Sequence, residues 1–296
     1  MGTLEQKSSN GPVYRESARV VQVSSLPGGH CRLRLEAAPI AATAKPGQFV
    51  NVAPPAGSVL LRRPFGVYRT TDGTDVELLF KVVGRGTAAL AEVREGDVLD
   101  VIGPLGNGFD LSGELTPTAI LVAGGFGIAP LYPLALALKE RVERVYLFVG
   151  TEEELPLEVS DSSMHLSFVD ADVRVTLTDF EQLGVSARVA TLRRRAGFHH
   201  GLVTELLEKL LSHSEPLGAA KVYACGPWAM LKRTAAIAAR HNIPCDVLLE
   251  ERMACGIGAC MSCVVRLKGA DGEPVYARAC VEGPVFDAAL VDWEAK

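Results

Sequence analysis

Four cysteines near the end of the sequence have the residue type and the spacing to bind a metal centre. Cys255, Cys260 and Cys263 fall within nine residues, and sixteen further residues separate Cys263 from Cys280. The residues between the first three are mostly glycine, alanine and serine, so the loop that carries them is uncrowded. Thiolates at this density indicate that the chain binds a metal or a metal cluster there.

The spacing C-x4-C-x2-C with a distant fourth cysteine is the one that holds a [2Fe–2S] cluster in plant-type ferredoxins. The small residues between the ligands let backbone N–H groups approach the sulfides. A structural zinc site is one alternative, although such sites usually combine two short Cys/His hairpins. Disulfides are another, and the lack of a secretory signal argues against them. The spacing favours the cluster, which would transfer electrons one at a time.

The residues that precede this module predict two larger segments, and the first, 11–113, is rich in β structure. Its short alternating runs are separated by turn signals such as Pro27-Gly28-Gly29. The predicted strands are Ala18–Val23, Cys31–Glu36, Gln48–Val52, Val76–Val82 and Asp97–Ile102. Many short strands at this spacing predict a closed barrel or a sandwich, with one short helix over Thr87–Val93.

The second segment, 114–246, changes to alternating strands and helices. The predicted strands are Thr118–Ala123, Val145–Gly150, Val173–Leu177 and Lys221–Ala224. The predicted helices are Pro130–Val142, Leu202–Leu211 and Trp228–Arg240. This alternation predicts a parallel sheet that binds a ligand at the carboxyl ends of its strands. Residues 247–296 form the small cysteine module, so the predicted fold class is α+β with several domains.

Two stretches of the first segment suit a phosphate group. Arg63 lies in Arg62-Arg63-Pro64-Phe65-Gly66-Val67, and an arginine can bind a pyrophosphate through two parallel hydrogen bonds. Gly86 and Thr87 lie at a predicted helix start, where backbone N–H groups can face a phosphate. A surface arginine and a capped turn are the alternatives when each stretch is taken alone. Together, in one barrel, they favour a cofactor that carries phosphate.

Two turns of the second segment suit a nucleotide. Gly125 and Gly127 lie between a strand and a helix, where the chain can approach a pyrophosphate closely. Cys225 ends a later strand and is followed by Gly226 and Pro227, so its thiol is predicted at the edge where ligands bind. The alternatives are a structural strand-to-helix turn and a buried, inert cysteine.

Composition excludes some classes of function. The chain has 296 residues and a formal net charge of −5, and its single basic run is Arg193-Arg194-Arg195. Without a basic stripe we expect no nucleic-acid partner. No apolar run reaches the roughly 20 residues that span a membrane, so we expect a cytoplasmic protein. Met1 to Asn10 is polar and is predicted to be disordered.

The order of these motifs resembles a known family. Arg63-Pro64-Phe65-Gly66, then the glycine turn that ends at Pro130, then Cys225-Gly226-Pro227 resemble the ferredoxin–NADP reductase superfamily. The cysteine loop together with Arg278-Ala279-Cys280-Val281-Glu282-Gly283-Pro284-Val285-Phe286 narrows the resemblance to the electron-transfer subunits of class 1B dihydroorotate dehydrogenases. It extends over nearly the whole chain from about Pro12.

The resemblance implies a flavin domain built as an antiparallel β-barrel, a nucleotide domain, and a cluster module. It places FAD in the barrel and NAD(H) on the parallel sheet. The residues implied for FAD are Arg63, Pro64, Phe65, Gly66, Leu79, Phe80, Lys81, Gly86 and Thr87. Those implied for the nicotinamide nucleotide are Gly125, Gly127, Gly226 and Pro227, with Cys225 near the reacting ring. The implied cluster ligands are Cys255, Cys260, Cys263 and Cys280.

The resemblance also implies a partner. It is the FMN-containing catalytic subunit of dihydroorotate dehydrogenase, in a heterotetramer of two plus two chains, which oxidises dihydroorotate to orotate in pyrimidine biosynthesis. A patch with Met253, Ile257 and Met261 is expected to face it. Two other functions stay open: a reductase subunit of a hydrogenase-type or electron-bifurcating complex, and a zinc-stabilised interaction module without enzymatic activity.

Two departures from the family pattern concern these sites. Gly66 stands where the family usually has a serine, and Thr178-Asp179-Phe180-Glu181 replaces its usual Asp-Asp-Gly-Ser. One feature bears on nucleotide choice: the acidic run Glu152-Glu153-Glu154 follows the strand that ends at Gly150. An NADP site needs an arginine near the 2′-phosphate, whereas an acidic run repels it, so we expect NAD.

Overall fold

A computed structural model describes residues 11–57, 59–214, 217–270 and 272–295. The first of the two larger segments, 11–113, forms the predicted barrel. Six strands form it: β1 (Tyr14–Leu26), β2 (His30–Glu36), β3 (Phe49–Val52), β4 (Arg63–Thr71), β5 (Asp75–Lys81) and β6 (Val98–Leu105). They pair antiparallel in the order β1-β2-β5-β4-β3-β6, and β6 closes on β1. Inward-facing residues such as Leu33, Leu35 and Leu78 form an aliphatic core. The prediction for residues 1–10 lies outside the described part of the chain.

Strand β4 was absent from the predicted set of strands. Pro64 and Gly66 disfavour a strand locally, because proline lacks an N–H donor and glycine adds no side-chain packing. The strand forms because its neighbours pair with it, Asn51 of β3 opposite Pro64 and Phe49 opposite Gly66. The candidate Arg63 is therefore the first residue of a barrel strand.

Two short helices complete the barrel segment, α1 (Ala38–Thr43) and α2 (Arg85–Ala91). The first was not predicted, and the second begins two residues before the predicted Thr87. Leu90 of α2 is fully buried in the barrel core, which fixes the helix against the strands.

The second segment contributes most strands of a seven-stranded sheet of order β12-β11-β8-β7-β13-β14-β17. Its strands are β7 (Thr118–Gly124), β8 (Arg144–Gly150), β11 (Ser186–Thr191), β12 (His199–His200), β13 (Ala220–Cys225), β14 (Cys245–Leu248) and β17 (Val285–Asp287). The pairs from β12 to β14 are parallel. Every residue of β7 is buried, as expected for a parallel strand covered on both faces. The helices are α3 (Ile128–Leu138), α4 (Thr178–Gln182), α5 (Val203–Leu211) and α6 (Trp228–Arg240).

One predicted strand of this sheet was misplaced. Val175–Leu177 is strand β10, and it pairs antiparallel with β9 (Val159–Asp161) in a separate two-stranded sheet. The strand beside β8 is β11, which contains Arg188. A charged residue makes a buried strand hard to recognise in the sequence. The Arg188 guanidinium is nevertheless buried, and it donates to the carbonyl oxygens of Val173 and Ala187.

The cysteine module adds the hairpin β15 (Val264–Lys268) and β16 (Pro274–Arg278). By compactness, the chain divides into two units. The first contains the barrel, Leu249–Phe286 and the residues from Leu290 on, and the second contains Asp110–Leu248 and Asp287–Ala289. The ranges 11–113, 114–246 and 247–296 stay a prediction for the domain boundaries. Within the described ranges, no helix is both long and apolar enough to cross a membrane.

Candidate functional site

The four cysteines lie in one loop and at one end of one hairpin. Cys263 immediately precedes β15 and Cys280 lies two residues after β16, and the amide of Ala279 donates to the carbonyl oxygen of Cys263 at 2.9 Å. The antiparallel pairing therefore brings these two cysteines together although sixteen residues lie between them in sequence. Cys255 and Cys260 belong to the loop before the hairpin.

The thiols are neighbours in two pairs, since Cys255 helps to lower the pKa of Cys260 and Cys263 helps to raise the pKa of Cys280. A two-iron cluster needs two thiolates for each iron, so this pairing fits the donor set of a [2Fe–2S] group. Among the residues that the structure describes, no three His, Cys, Asp or Glu side chains are arranged to hold a single metal ion. When bound, the cluster would supply a site that accepts and releases one electron.

Cys260 and Cys280, one thiol from each pair, differ in exposure and in acidity. Cys260 is exposed, and the Ser262 hydroxyl, whose Oγ lies 3.2 Å from Cys260 Sγ, is the main cause that lowers the pKa of this thiol to about 6. Cys263 and Cys280 are buried, and burial followed by contact with Cys263 raises the pKa of Cys280 to about 12. Because ligand thiols must lose their protons when metal binds, the Cys260 thiol is better prepared for it than the Cys280 thiol.

An ion pair holds the loop that carries the first two cysteines. Arg278 donates from Nη1 to the carbonyl oxygen of Gly258 at 3.0 Å, and its other nitrogens bind the carboxylate of Glu282. Gly258 has φ +85°, and a Cβ there would lie 2.6 Å from Val281 Cγ2. The loop therefore packs its own backbone against the residues that follow Cys280.

The paired arginines of the barrel have different partners. Arg62 binds the carboxylate of Asp100 at 2.5 Å and its carbonyl oxygen at 2.8 Å, so a carboxylate neutralises its charge. Arg63 donates to the carbonyl oxygens of Leu61 and Arg62, and within the described residues it has no carboxylate partner. Its guanidinium lies against Gly86, where a Cβ would come within 2.5 Å of Arg63 Nε. A cation beside an open backbone suits the phosphate end of FAD.

Thr87 closes the loop before α2. Its Oγ1 accepts from the amides of Val83 at 2.9 Å and Gly84 at 3.1 Å, and it donates to the Gly84 carbonyl oxygen at 3.0 Å. The sequence predicted that the glycines here would offer amides to a phosphate. The Gly84 amide is used by Thr87 instead, so backbone donors for a phosphate must come from later residues.

The residues expected around the flavin ring lie on both faces of the barrel wall. Phe80 belongs to the barrel core and stacks on Phe65, with 4.9 Å between the ring centroids. Leu79 and Lys81 point to the opposite face, because adjacent residues of a strand alternate. Gly66 lies one position after Phe65 and opposite Phe49. Contact of these side chains with FAD stays a prediction.

The second unit brings its two predicted turns together at the carboxyl ends of β7 and β13. Gly127 packs directly on the backbone of the other turn, since a Cβ would lie 2.1 Å from the carbonyl oxygen of Cys225. Gly226 has φ +154° and faces Gly124, whose own Cβ would meet Pro227 at 2.4 Å. Backbone contacts this close leave no room for side chains at these positions, so only glycine fits. Glycines in such a turn let the backbone approach a nucleotide closely.

Gly125 and Cys225 are in contrasting surroundings at this edge. Gly125 has φ +51°, and a Cβ there would find no atom within 4 Å, so the turn before α3 is open at this residue. Cys225 is fully buried, in register with Ala123 on one side and Leu248 on the other. The catalytic role of its thiol stays a prediction.

The acidic run follows β8 at the same edge, because Gly150 pairs in parallel register with Gly124. Thr151 directly precedes the run and accepts the Glu153 amide on its hydroxyl at 3.2 Å. The Glu152 carboxylate accepts the amide of Leu192 at 2.8 Å, which places this charge at the carboxyl ends of β8 and the neighbouring β11. A 2′-phosphate in this position would meet a carboxylate.

The sequence reasoning missed two residues that shape the cluster site. The sequence predicts no role for Arg278 beyond the family motif, although an arginine four residues before a glutamate is a readable signal for an ion pair. Asn51, whose amide donates to the Cys255 carbonyl oxygen at 3.0 Å, gave no signal, because 204 residues separate the two in sequence.

Two family models match the chain. Residues 250–292 match the iron–sulfur cluster binding domain of dihydroorotate dehydrogenase B, and residues 121–236 match the oxidoreductase NAD-binding domain. These matches confirm the predicted [2Fe–2S] cluster and NAD(H), and they coincide with the cysteine module and the glycine turn.

Relatives named "dihydroorotate dehydrogenase B (NAD(+)), electron transfer subunit" match along most of the chain. The one from Desulforamulus reducens is 35% identical over 281 residues, 94% of this chain and 98% of its own. That from Enterococcus faecalis is 36% identical over 249 residues, 83% of this chain and 86% of its own.

Solved structures share the fold. The NADH-dependent reduced ferredoxin-NADP oxidoreductase, described in connection with flavin-based electron bifurcation, has a TM-score of 0.74 at 27% identity, covering 94% of this chain and 91% of its own. Phthalate dioxygenase reductase has a TM-score of 0.53 at 17% identity, covering 90% and 77%. Together with the barrel, the sheet and the module, these likenesses confirm the predicted fold class.

Proposed function

Because this chain belongs to the family of electron-transfer subunits of the NAD+-linked dihydroorotate dehydrogenase B, we propose that it carries electrons from a dihydroorotate-oxidising partner to NAD+. The route runs through the [2Fe–2S] cluster and FAD, in pyrimidine biosynthesis. The observation that carries the proposal is the pairing of four cysteines in the same compact unit as the barrel with Arg63. The cluster and the flavin then belong to one unit.

Both cofactors are needed because their electron stoichiometries differ. Nicotinamide accepts a hydride, whereas a cluster passes single electrons, and a flavin can do both. We assign Arg63, Gly86 and Thr87 to the phosphates of FAD. The protein's own contribution is to bind and orient the flavin in the barrel and to present the nicotinamide at the edge with Gly127 and Cys225.

The partner in this proposal is an FMN-containing catalytic subunit, in an assembly of two plus two chains in the cytoplasm. The name of the relatives, electron transfer subunit, supports a separate catalytic subunit. Ile257 and Met261 in the cluster loop are 54% and 52% exposed, which suits a docking surface close to the cluster. Apolar side chains at such positions favour burial against another protein.

A second function is favoured by one observation. The likeness to the NADH-dependent reduced ferredoxin-NADP oxidoreductase, at 27% identity, extends over 94% of the chain. A reductase subunit of a bifurcating complex would keep FAD, the cluster and the nicotinamide site and would change only the partner.

The test is anaerobic co-expression of this chain with candidate FMN-binding dihydroorotate dehydrogenases encoded by the same organism. We expect a purified complex that contains FMN, FAD and iron and that reduces NAD+ when dihydroorotate is added, measured at 340 nm. A complex that forms but reduces NAD+ only with reduced ferredoxin would favour the second function. A colourless chain that contains zinc and no flavin would refute both.

A further inference from the structure

Asn51 connects the barrel to a cluster ligand. The residue is 1% exposed on β3, and its Nδ2 donates to the carbonyl oxygen of Cys255 at 3.0 Å. A carbonyl oxygen only accepts hydrogen bonds, so this contact fixes which end of the amide faces the cysteine. Both residues belong to the first compact unit.

The backbone of Asn51 is held from two sides. It pairs with Pro64 of β4, inside the stretch assigned to FAD, and its carbonyl oxygen accepts from Arg62 Nη1 at 3.3 Å. Arg62 is in turn bound to Asp100. The side chain therefore extends from an anchored strand that borders the flavin stretch.

The fit of the cluster loop on Asn51 is tight. Gly256, directly after Cys255, has φ +70°, and a Cβ there would lie 2.5 Å from Asn51 Nδ2. No larger residue fits between the amide and the loop without displacing one of them. A shift of Asn51 would therefore move the backbone next to an iron ligand.

The Asn51 amide at this buried position lowers the stability of the fold. Its Oδ1 is buried and has no hydrogen-bond partner among the described residues. An unpartnered buried oxygen destabilises a fold, whereas a leucine of similar size would avoid that cost. Packing alone therefore does not explain an asparagine here, and the one hydrogen bond that its side chain makes to a described residue goes to Cys255.

We propose that Asn51 is a positioning residue that fixes the backbone of Cys255 and raises the reduction potential of the cluster. The proposal rests on the proposed function, in which one electron at a time passes between FAD and the cluster. Asn51 neither gains nor loses an electron or a proton. Its N–H dipole points its positive end toward the ligand residue, and this stabilises the added negative charge of the reduced cluster.

The test uses paired substitutions at Asn51 and at a matched control, Asn107. The Asn107 amide also binds carbonyl oxygens of the module, those of Val281 and Glu282 at 3.1 Å each, but neither residue is a cluster ligand. Asn51→Leu, Asn51→Asp, Asn107→Leu and Asn107→Asp are purified with cofactors, and the cluster is titrated reductively and followed by electron paramagnetic resonance.

We expect Asn51→Leu to shift the reduction equilibrium about threefold toward the oxidised form, about 28 mV for one electron. Asn51→Asp, which adds a charge and cannot donate, should shift it about tenfold, or about 59 mV. The Asn107 variants should keep the native potential and resonance spectrum. If Asn51→Leu loses iron while Asn107→Leu and FAD binding are intact, the positioning role is supported as well.

Two outcomes would overturn the proposal. One is a native potential and spectrum in Asn51→Leu. The other is an equal shift of the reduction potential, or an equal loss of iron, in the Asn107 variants. That result would show that any hydrogen bond between the barrel segment and the cysteine module has the same effect. A failure of the proposed function is distinguishable, because the native complex would then fail to reduce NAD+ with dihydroorotate, whereas the potentials of the Asn51 variants are compared with that of the native cluster whatever its partner is.

Discussion

Replacing Gly127 by alanine should disable the nicotinamide site while leaving the cofactors of the other unit in place. The added Cβ would lie 2.1 Å from the carbonyl oxygen of Cys225 and 2.5 Å from its carbonyl carbon. Both atoms are backbone, so no side-chain rotation relieves the overlap. The turn after β7 or the end of β13 has to move.

The size of the effect follows from these distances. Ordinary contact of a Cβ begins at 3.4 Å, so one of the two turns must move by more than 1 Å. Overpacking of this kind costs about 1–3 kcal/mol of folding free energy. A displacement of about 1 Å in a positioning element lowers catalysis by about 100-fold. We therefore expect the rate of FAD reduction by NADH to fall about 100-fold in Gly127→Ala.

The assay is stopped-flow bleaching of FAD absorbance by NADH, with FAD content and the cluster resonance spectrum measured on the same sample. Gly184→Ala is the control, because it lies in the same unit with φ +79° and no atom within 4 Å of its Cβ. It should cost about 1–2 kcal/mol of backbone strain and leave the reaction with NADH intact. Native NADH kinetics in Gly127→Ala would refute the argument that this backbone contact positions the nucleotide.

Two further predictions concern charges. Asp100→Asn should lower the barrel's free energy of unfolding by about 1 kcal/mol at neutral pH, because hydrogen bonds from Arg15 and then Arg62 hold the pKa of this carboxyl below its ordinary 3.8. A carboxyl with a depressed folded pKa stabilises above its ordinary pKa, so the difference in urea midpoint should vanish as the pH falls below 3.8. Glu152→Gln should raise the NADPH-to-NADH ratio of kcat/KM about tenfold, through about 1.4 kcal/mol less repulsion of the 2′-phosphate.

Each charge prediction has its own contrary result. A constant stability difference between native protein and Asp100→Asn across the acid range would show that the two arginines do not control this carboxyl. For Glu152, the matched control is Glu158→Gln, outside the strand end. An equal change of nucleotide preference in both variants would show that overall charge, and not the charge at the β8 end, sets the preference.

Local patterns predicted the strands and helices whose residues carry their own signal. The continuous apolar run of β7 and the two-sided character of α6 are readable because every residue in them agrees with one periodicity. Strand β4 was missed for the opposite reason. Its proline and glycine contradict a strand locally, and only the partners on β3 and β5 supply the hydrogen bonds and packing that make it one.

The candidate sites were readable to different depths. Cysteine spacing and the glycines of the βα turn are local constraints of metal and nucleotide binding, so the sequence displays them directly. The difference in partners between Arg62 and Arg63 cannot be read from the local sequence. It depends on Asp100, a residue of another strand that binds Arg62 and leaves Arg63 to face Gly86.

By itself the sequence determined that this chain holds four cysteines with the spacing of a two-iron cluster. The sequence could not determine which residues pack against the cluster loop, since those contacts join residues that are far apart in the chain. Only the tertiary structure paired Cys255 with Cys260 and Cys263 with Cys280, and only it set Asn51 against the loop. The physical reason is that the sequence specifies which residues carry thiols, whereas the positions of those thiols in space follow from strand pairing and packing.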